Sequence, residues 1–448
     1  MSGAPSGSER SRPSWRWLRP GMGIKRWVLL VFVGLLLLAL AGGLLIREIY
    51  RDNPGGGALG WLLDLLSLQF LDPALRVAAL ATGGLALLAL GGWGLMRVVL
   101  EPFRARDEPL AELLYQRRWR ARGPRVVAIG GGRGLSVLLR GLKEHTSNIT
   151  AVVTVADDGG SSGKLRRELG IPPMGDIRDC IAALADAEPT MTDLLLYRFR
   201  QNGADRDGLA GHAFGNLLIT ALTDLSGGDF EEGVRLSNRV LAVRGKVVPV
   251  AAIPLTLHAL YRDGTVLDGQ QQITRTSGID RIWISPDDVA PSTEALDAIA
   301  EADLIVLGPG SLYTSIIAAL LIPRLRRALA ESPALRVFIC NVATQLGETE
   351  GYALSDHVDA LRRHDMLELI DAVLANDNFK ARAPAGYPAE PVRVDLAPIG
   401  GPGPRIALRD VVDAAKAHHH DPHKVGVALM ALLESGELVR SQVTGARR

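Results

Sequence analysis

The chain has 448 residues, enough for two or three domains, with 22% charged residues and a formal net charge of +1. That balance gives no signal for nucleic acid as a partner, and two cysteines, Cys180 and Cys340, exclude a disulfide framework. Both lie in apolar helix or strand contexts, which predicts buried thiols in a reducing compartment.

The N-terminal part reads as a membrane anchor. Residues 1–26 form a basic leader with Arg10, Arg12, Arg16, Arg19, Lys25 and Arg26. Trp27 to Ile46 and Val77 to Met96 are uninterrupted apolar segments, each about 20 residues and so long enough to span roughly 30 Å of hydrocarbon as a helix. Arg97, Arg104, Arg106, Arg117, Arg118, Arg120, Arg122 and Arg125 follow the second, whereas the intervening loop holds only Arg47, Arg51 and Arg76. The positive-inside rule then predicts a two-helix transmembrane hairpin over 27–100, with the lipid bilayer as partner and both termini in the cytoplasm. A signal peptide cleaved at Ala39-Leu40-Ala41 is the competing reading; the long basic leader and the second span disfavour it. Leu59 to Leu71 is too short to cross and is expected at the outer interface. Within 101–123, Asp107 to Arg122 reads as a basic stalk helix whose arginines face anionic headgroups or solvent.

From Pro124 onward strands and helices alternate, which predicts an α/β domain over 124–439, a Rossmann-like, mostly parallel sheet with helices on both faces, followed by a tail over 440–448. Arg125 to Ile129 is a β-branched apolar run. Gly130, Gly131, Gly132 and Gly134 follow, and Leu135, Leu138, Leu139 and Leu142 then have helical spacing. A second apolar run, Ile149 to Ala156, ends in Asp157-Asp158-Gly159-Gly160-Ser161-Ser162-Gly163. Glycines let a backbone approach an anion, and helix-start N–H groups favour negative charge, so this βαβ unit points to a nucleotide or another phosphorylated ligand. Asp157 falls near the spacing of about 20 residues at which an acidic residue reaches a ribose. The pattern is not G-x-G-x-x-G, because Leu135 occupies the place of the third glycine. Nor is Gly163-Lys164 a P-loop. Glycines that merely tighten a strand–helix turn would account for Gly130 to Gly134, but not for the Asp157-Asp158 loop.

Further along, Gly170 to Arg178 is a proline-containing loop in which Asp176 is an N-cap or, with Gly175, part of a ligand edge. Gly211-His212-Ala213-Phe214-Gly215-Asn216 opens an apolar helix, with His212 and Asn216 on one face. Asp229 to Ala242 is an amphipathic helix, and strands follow near Ala251 to Leu260 and Gly264 to Gly269. Gln270 to Ile282 has no legible role. Ala302 to Leu307 is a strand that runs into Gly308-Pro309-Gly310-Ser311-Leu312-Tyr313-Thr314-Ser315 and an apolar helix, a second junction suited to a phosphate or sugar. Arg336 to Cys340 is a strand that ends in Asn341-Val342-Ala343-Thr344-Gln345-Leu346-Gly347-Glu348-Thr349, and Asp371 to Ala375 is the last core strand. His418, His419, His420 and His423 precede the apolar helix Val425 to Leu433 and read as a solvated connection rather than a metal tract. Polar, glycine-rich loops thus gather at the carboxyl ends of several strands, where open α/β sheets bind ligands.

Six motifs in order, between roughly Pro124 and Asn376, resemble the YvcK/CofD-like family: Gly130 to Ser136, Thr154 to Gly163, Pro172 to Arg178, Gly211 to Asn216, Gly308 to Ser315 and Asn341 to Thr349. One position departs, since Arg133 replaces the family's usual threonine. The resemblance is closer to the YvcK branch than to the 2-phospho-L-lactate transferases. It implies a UDP-N-acetylglucosamine-binding regulator that links carbon metabolism with cell-envelope synthesis and cell shape, rather than an enzyme. The residues it implies for ligand binding are Gly131, Gly132, Arg133, Gly134, Leu135, Asp157, Asp158, Gly159, Ser161, Gly175, Asp176, His212, Asn216, Gly308, Gly310, Ser311, Tyr313, Asn341, Thr344 and Gln345. No cofactor is required in that reading, and a homodimer and cell-envelope synthesis proteins stand as candidate partners. The alternative is a CofD-type transferase moving a phospho-lactyl-like group from a nucleotide diphosphate carrier, with Mg²⁺ on Asp157 and Asp158. An NAD-dependent oxidoreductase would rest on the generic fold alone.

Overall fold

The computed structural model describes residues 119–435 without 187–188, 201–207, 382–387 and 396–402, together with Leu35, Ala39, Gly43, Asp72 and Leu75. The chain divides between Arg118 and Trp119. Of the anchor expected from the sequence, Leu35, Ala39 and Gly43 in the first apolar segment are helical. The remainder of that segment, the whole of the second and the stalk up to Arg118 lie outside the described residues. Among the described residues no helix is long and apolar enough to cross a membrane.

The strands of the second unit are β1 Val126–Gly130, β2 Ile149–Val153, β3 Lys246–Pro249, β4 Thr256–Tyr261, β5 Val266–Asp268, β6 Ile279–Ser285, β7 Leu304–Leu307, β8 Leu335–Ile339, β9 Ala372–Asn376 and β10 Arg405–Arg409. The helices are α1 Gly132–His145, α2 Gly160–Leu169, α3 Gly175–Leu184, α4 Pro189–Leu196, α5 Phe214–Leu225, α6 Phe230–Val240, α7 Gln270–Ile273, α8 Thr293–Glu301, α9 Ala318–Leu320, α10 Pro323–Glu331, α11 Leu354–Arg363 and α12 Pro422–Glu434. A π-helical turn, Leu312–Ile317, runs into α9.

Seven strands form one sheet in the order β10-β9-β8-β7-β1-β2-β3. Every pairing in it is parallel. In β1 and β7 every residue is buried, so both faces of the sheet centre are covered. This is the α/β, Rossmann-like architecture the alternating pattern predicts. The connection from β3 to β7 holds a separate antiparallel sheet, β5-β4-β6. The stretch Gln270 to Ile282, which has no legible role in the sequence, supplies α7 and the start of β6 there.

Helix α1 packs against α3 and α12. The α1–α12 crossing is backbone to backbone: a Cβ on Gly141 would lie 1.9 Å from the Pro422 carbonyl oxygen. Asp421 caps α12 by accepting from the Lys424 N–H at 3.0 Å. Asp176 does not do the same for α3. That helix starts at Gly175 with Met174 as its cap residue and no side-chain cap, which leaves the Asp176 carboxylate free to face the β1 loop.

Candidate functional site

The sheet order places a cleft before any side chain is considered. From the centre, β1 leads on to β2 and β3 on one side, while β7 leads on to β8, β9 and β10 on the other. The loops after β1 and β7 therefore part at a topological switch point, where open α/β sheets take their ligands. Glycines make the two loops fit. Gly132 has φ +65, and a Cβ on Gly134 would come within 2.5 Å of the Pro309 carbonyl oxygen. The cavity between the loops has a volume of about 300 Å³. Gly131, Gly132, Arg133 and Gly134 line one wall, Pro309, Gly310 and Ser311 another, and Asn341, Thr344 and Gln345 a third, with Asp176 and Gln270 also reaching it.

The amide wall is held from behind. Asn341 donates from Nδ2 to the Gly310 carbonyl at 2.8 Å and accepts from the Gly310 N–H at 3.3 Å. Gln345 donates to Ser311 Oγ at 3.1 Å. Glu348, from the same loop, is buried and accepts from the Tyr313 N–H and from the Thr314 hydroxyl, at 3.2 and 2.8 Å. Burial pushes its carboxyl above the ordinary range. Thr344 accepts at its hydroxyl from the Glu390 N–H at 3.0 Å.

Asp176 is the acidic group of the cavity. Burial first, then the nearby Asp157 and Asp179 carboxylates, push its pKa up to about 7, against a hydrogen bond from the Gly132 backbone. Asp157 stands behind it and is also raised, mainly by burial, while its Oδ1 accepts from the Gly159 N–H at 3.0 Å. Asp158 turns away: its Oδ1 accepts from the Gln271 N–H at 2.9 Å, tying the β2 loop to α7. The two adjacent aspartates therefore do not form one carboxylate pair. Among the described residues no group of three or more His, Cys, Asp or Glu is placed to hold a metal ion.

Ser161, His212 and Asn216 meet, but in a buried network rather than at the cavity. Ser161 Oγ lies 3.1 Å from His212 Nδ1 and accepts from Asn216 Nδ2 at 3.1 Å. Asn216 also donates to Ser162 and accepts from Arg178 at 3.0 Å, and Arg178 is ion-paired to Asp179. His212 precedes α5 rather than sharing its face, so the shared Ser161 joins it to Asn216. Leu135 is in the core with 0% exposure. Tyr313 also has 0% exposure, and its hydroxyl meets Tyr352 and Arg363. Gly159, Gly175 and Gly308 shape the loops without lining the cavity. Gln270, Ser315 and the His418–His420 segment, none of them among the ligand residues the resemblance implies, also line it. The histidine tract is a solvated connection only in part: His423 is exposed and His418 and His419 are half-buried, but His420 is buried. Its burial depends on where α12 docks, which no local pattern signals.

A parallel sheet with glycine loops at its switch point and a polar cleft between them defines an α/β protein of the Rossmann-like class. Residues 126–412 match the family described as 2-phospho-L-lactate transferase CofD, and the chain belongs to this YvcK/CofD-like family. A Nostoc relative is 42% identical over 442 residues, covering 94% of this chain and 93% of its own length. The gluconeogenesis factor of Bacillus subtilis is 45% identical over 319 residues, covering 69% of this chain and 98% of its own. The crystal structure of protein BH3568 from Bacillus halodurans superposes with a TM-score of 0.64 at 41% identity, covering 69% of this chain and all of that one.

Proposed function

We propose that the protein is a membrane-anchored, cytoplasm-facing regulator that binds a UDP-sugar, UDP-N-acetylglucosamine, and links gluconeogenesis with cell-envelope synthesis and cell shape. The observation that carries this reading is the chemistry of the switch-point cavity. Backbone N–H groups of the glycine loops suit a diphosphate, and Asp176, Ser311, Asn341 and Gln345 offer acceptors and donors for sugar and ribose hydroxyls. The name of the Bacillus subtilis relative supports the metabolic part. Cell-envelope synthesis proteins and a second copy of the chain are the partners such a role calls for.

The family description, 2-phospho-L-lactate transferase, supports a second reading, a transferase of phosphorus-containing groups, for which the sequence resemblance implies Mg²⁺. The adjacent Asp157 and Asp176, rather than Asp158, would hold that ion. Two carboxylates leave most of its shell to water and substrate oxygens, an arrangement Mg²⁺ accepts, and the ion would neutralise charge developing on the transferred phosphoryl group. Calorimetric titration decides between the two readings. The parent protein is expected to bind UDP-N-acetylglucosamine without turning it over, and Asp176→Asn to weaken that binding tenfold or more, about 1.4 kcal/mol. Binding of GDP or GTP with UDP-sugars ignored, or unchanged affinity in Asp176→Asn, would overturn the first reading.

A further inference from the structure

A second cavity of about 450 Å³ adjoins the first and shares Arg133, Val137, His419 and His420 with it. Its charge is one-sided. Arg140, Arg178, Arg198 and Lys416 join Arg133, against two carboxylates that are already engaged. Asp179 is ion-paired to Arg178, and Asp413 accepts from the Ala415 and Lys416 N–H groups. Arg133, Arg140 and Lys416 are exposed, and none of the three makes an ion pair or a side-chain hydrogen bond among the described residues. Arg133, Val137 and Arg140 recur along one face of α1, so the departure at Arg133 places a second guanidinium beside Arg140.

At the junction of the two cavities stands His420, with 7% of its surface exposed and no hydrogen-bond partner at either ring nitrogen. The Val411 carbonyl comes near the ring without hydrogen-bond geometry. A buried polar group left unpaired is costly, and a ligand oxygen at the junction would remove that cost. Guanidinium groups suit such a ligand when it carries phosphate oxygens.

We propose that the second cavity is an anion subsite continuous with the glycine-loop cleft, in which Arg133, Arg140 and Lys416 hold a phosphate or diphosphate group and His420 donates to it. This rests on the reading of the glycine-loop cavity as the ligand cleft. Two sources have this chemistry: the diphosphate of the nucleotide sugar itself, and a separate phosphorylated molecule.

The test uses the full-length chain, with inorganic pyrophosphate and UDP-N-acetylglucosamine as probes in calorimetric titrations. The double variant Arg140→Gln/Lys416→Gln should bind pyrophosphate at least tenfold more weakly than the parent. Its ligand-free melting temperature should match the parent's, because both side chains are exposed and unpaired. Competition between the two probes identifies the nucleotide sugar's own diphosphate as the occupant, whereas simultaneous binding identifies a separate phosphorylated ligand. A parent that binds pyrophosphate through these residues but ignores UDP-sugars keeps the anion subsite and removes the UDP-sugar reading. A double variant that binds both probes as the parent does overturns the subsite and leaves the UDP-sugar reading standing, and a parent that binds neither probe overturns both.

Discussion

Asp176 is placed where an ionised carboxylate is penalised: it is partly buried at the cavity wall, and Asp157 and Asp179 repel it. Its folded pKa of about 7 stands above the ordinary 3.8, so the folded state holds the proton more tightly. Between those two values the folded chain binds more protons than the unfolded one, and stability falls as pH rises from about 4 to about 7. His420 works in the opposite sense, since burial lowers its pKa to about 4 and stability is lost as pH falls from its ordinary 6.5 towards that value. The two windows overlap, so a comparison with Asp176→Asn isolates the carboxylate. The variant should melt above the parent at pH 8 and together with it below about pH 4. A melting-temperature difference that does not change with pH would show that Asp176 is not held near 7. A group that weakens the ligand-free fold in this way is one a bound ligand can relieve, through hydroxyl donors or a metal.

Elements decide how these side chains meet, and α1 packs against α12, which follows directly on the His418–His420 wall of the cavity. Their crossing is set by Gly141 and Gly426, each without a Cβ where the other helix's backbone passes. Gly141→Ala forces Pro422 away and should cost about 1–3 kcal/mol of stability, seen as a lower melting temperature. Val427→Ala on the exposed side of α12 should stay within about 0.5 kcal/mol of the parent. Equal melting temperatures for Gly141→Ala and the parent would mean that the crossing is loose. The contrast also explains what the sequence could and could not disclose. The apolar run that becomes β1 ends in glycines, and the apolar run Val425 to Leu433 becomes most of α12, so both signals are local and legible. The side of the site formed by His418 to His420 depends on the docking of α12 onto α1, which joins residues nearly 300 positions apart. Likewise α7 is a four-residue turn inside a polar stretch without periodicity, so neither Gln270 at the cavity nor the Gln271 hydrogen bond to Asp158 could be foreseen. Within the motifs, residue identity was legible and direction was not. Tyr313 sits in a π-helical turn that points it back to Tyr352 and Arg363, and Leu135 follows α1 into the core.

At the scale of the whole chain, the relatives separate two parts. The Bacillus subtilis protein is matched almost end to end by 69% of this chain, whereas the Nostoc protein matches 94% of it. The matched part thus recurs in relatives with and without the additional residues, which suits the proposal of a tether joined to a separate α/β unit. Under the positive-inside reading the tether is a hairpin, with Gly56 outside the cell and both termini inside. Thiol labelling can test this with little background, because Cys180 and Cys340 are both buried, at 0% and 1% exposure. A membrane-impermeant maleimide applied to intact cells should therefore modify Gly56→Cys and spare Ser8→Cys and Arg440→Cys, all three reacting once the cells are lysed. In that reading the basic residues on both flanks set the orientation, since moving many arginines across the bilayer is far more costly than moving the three in the connecting loop. Labelling of Arg440→Cys in intact cells would put the ligand cleft outside the cytoplasm, away from the pool of nucleotide sugars, and the proposed regulatory role would fall with the topology.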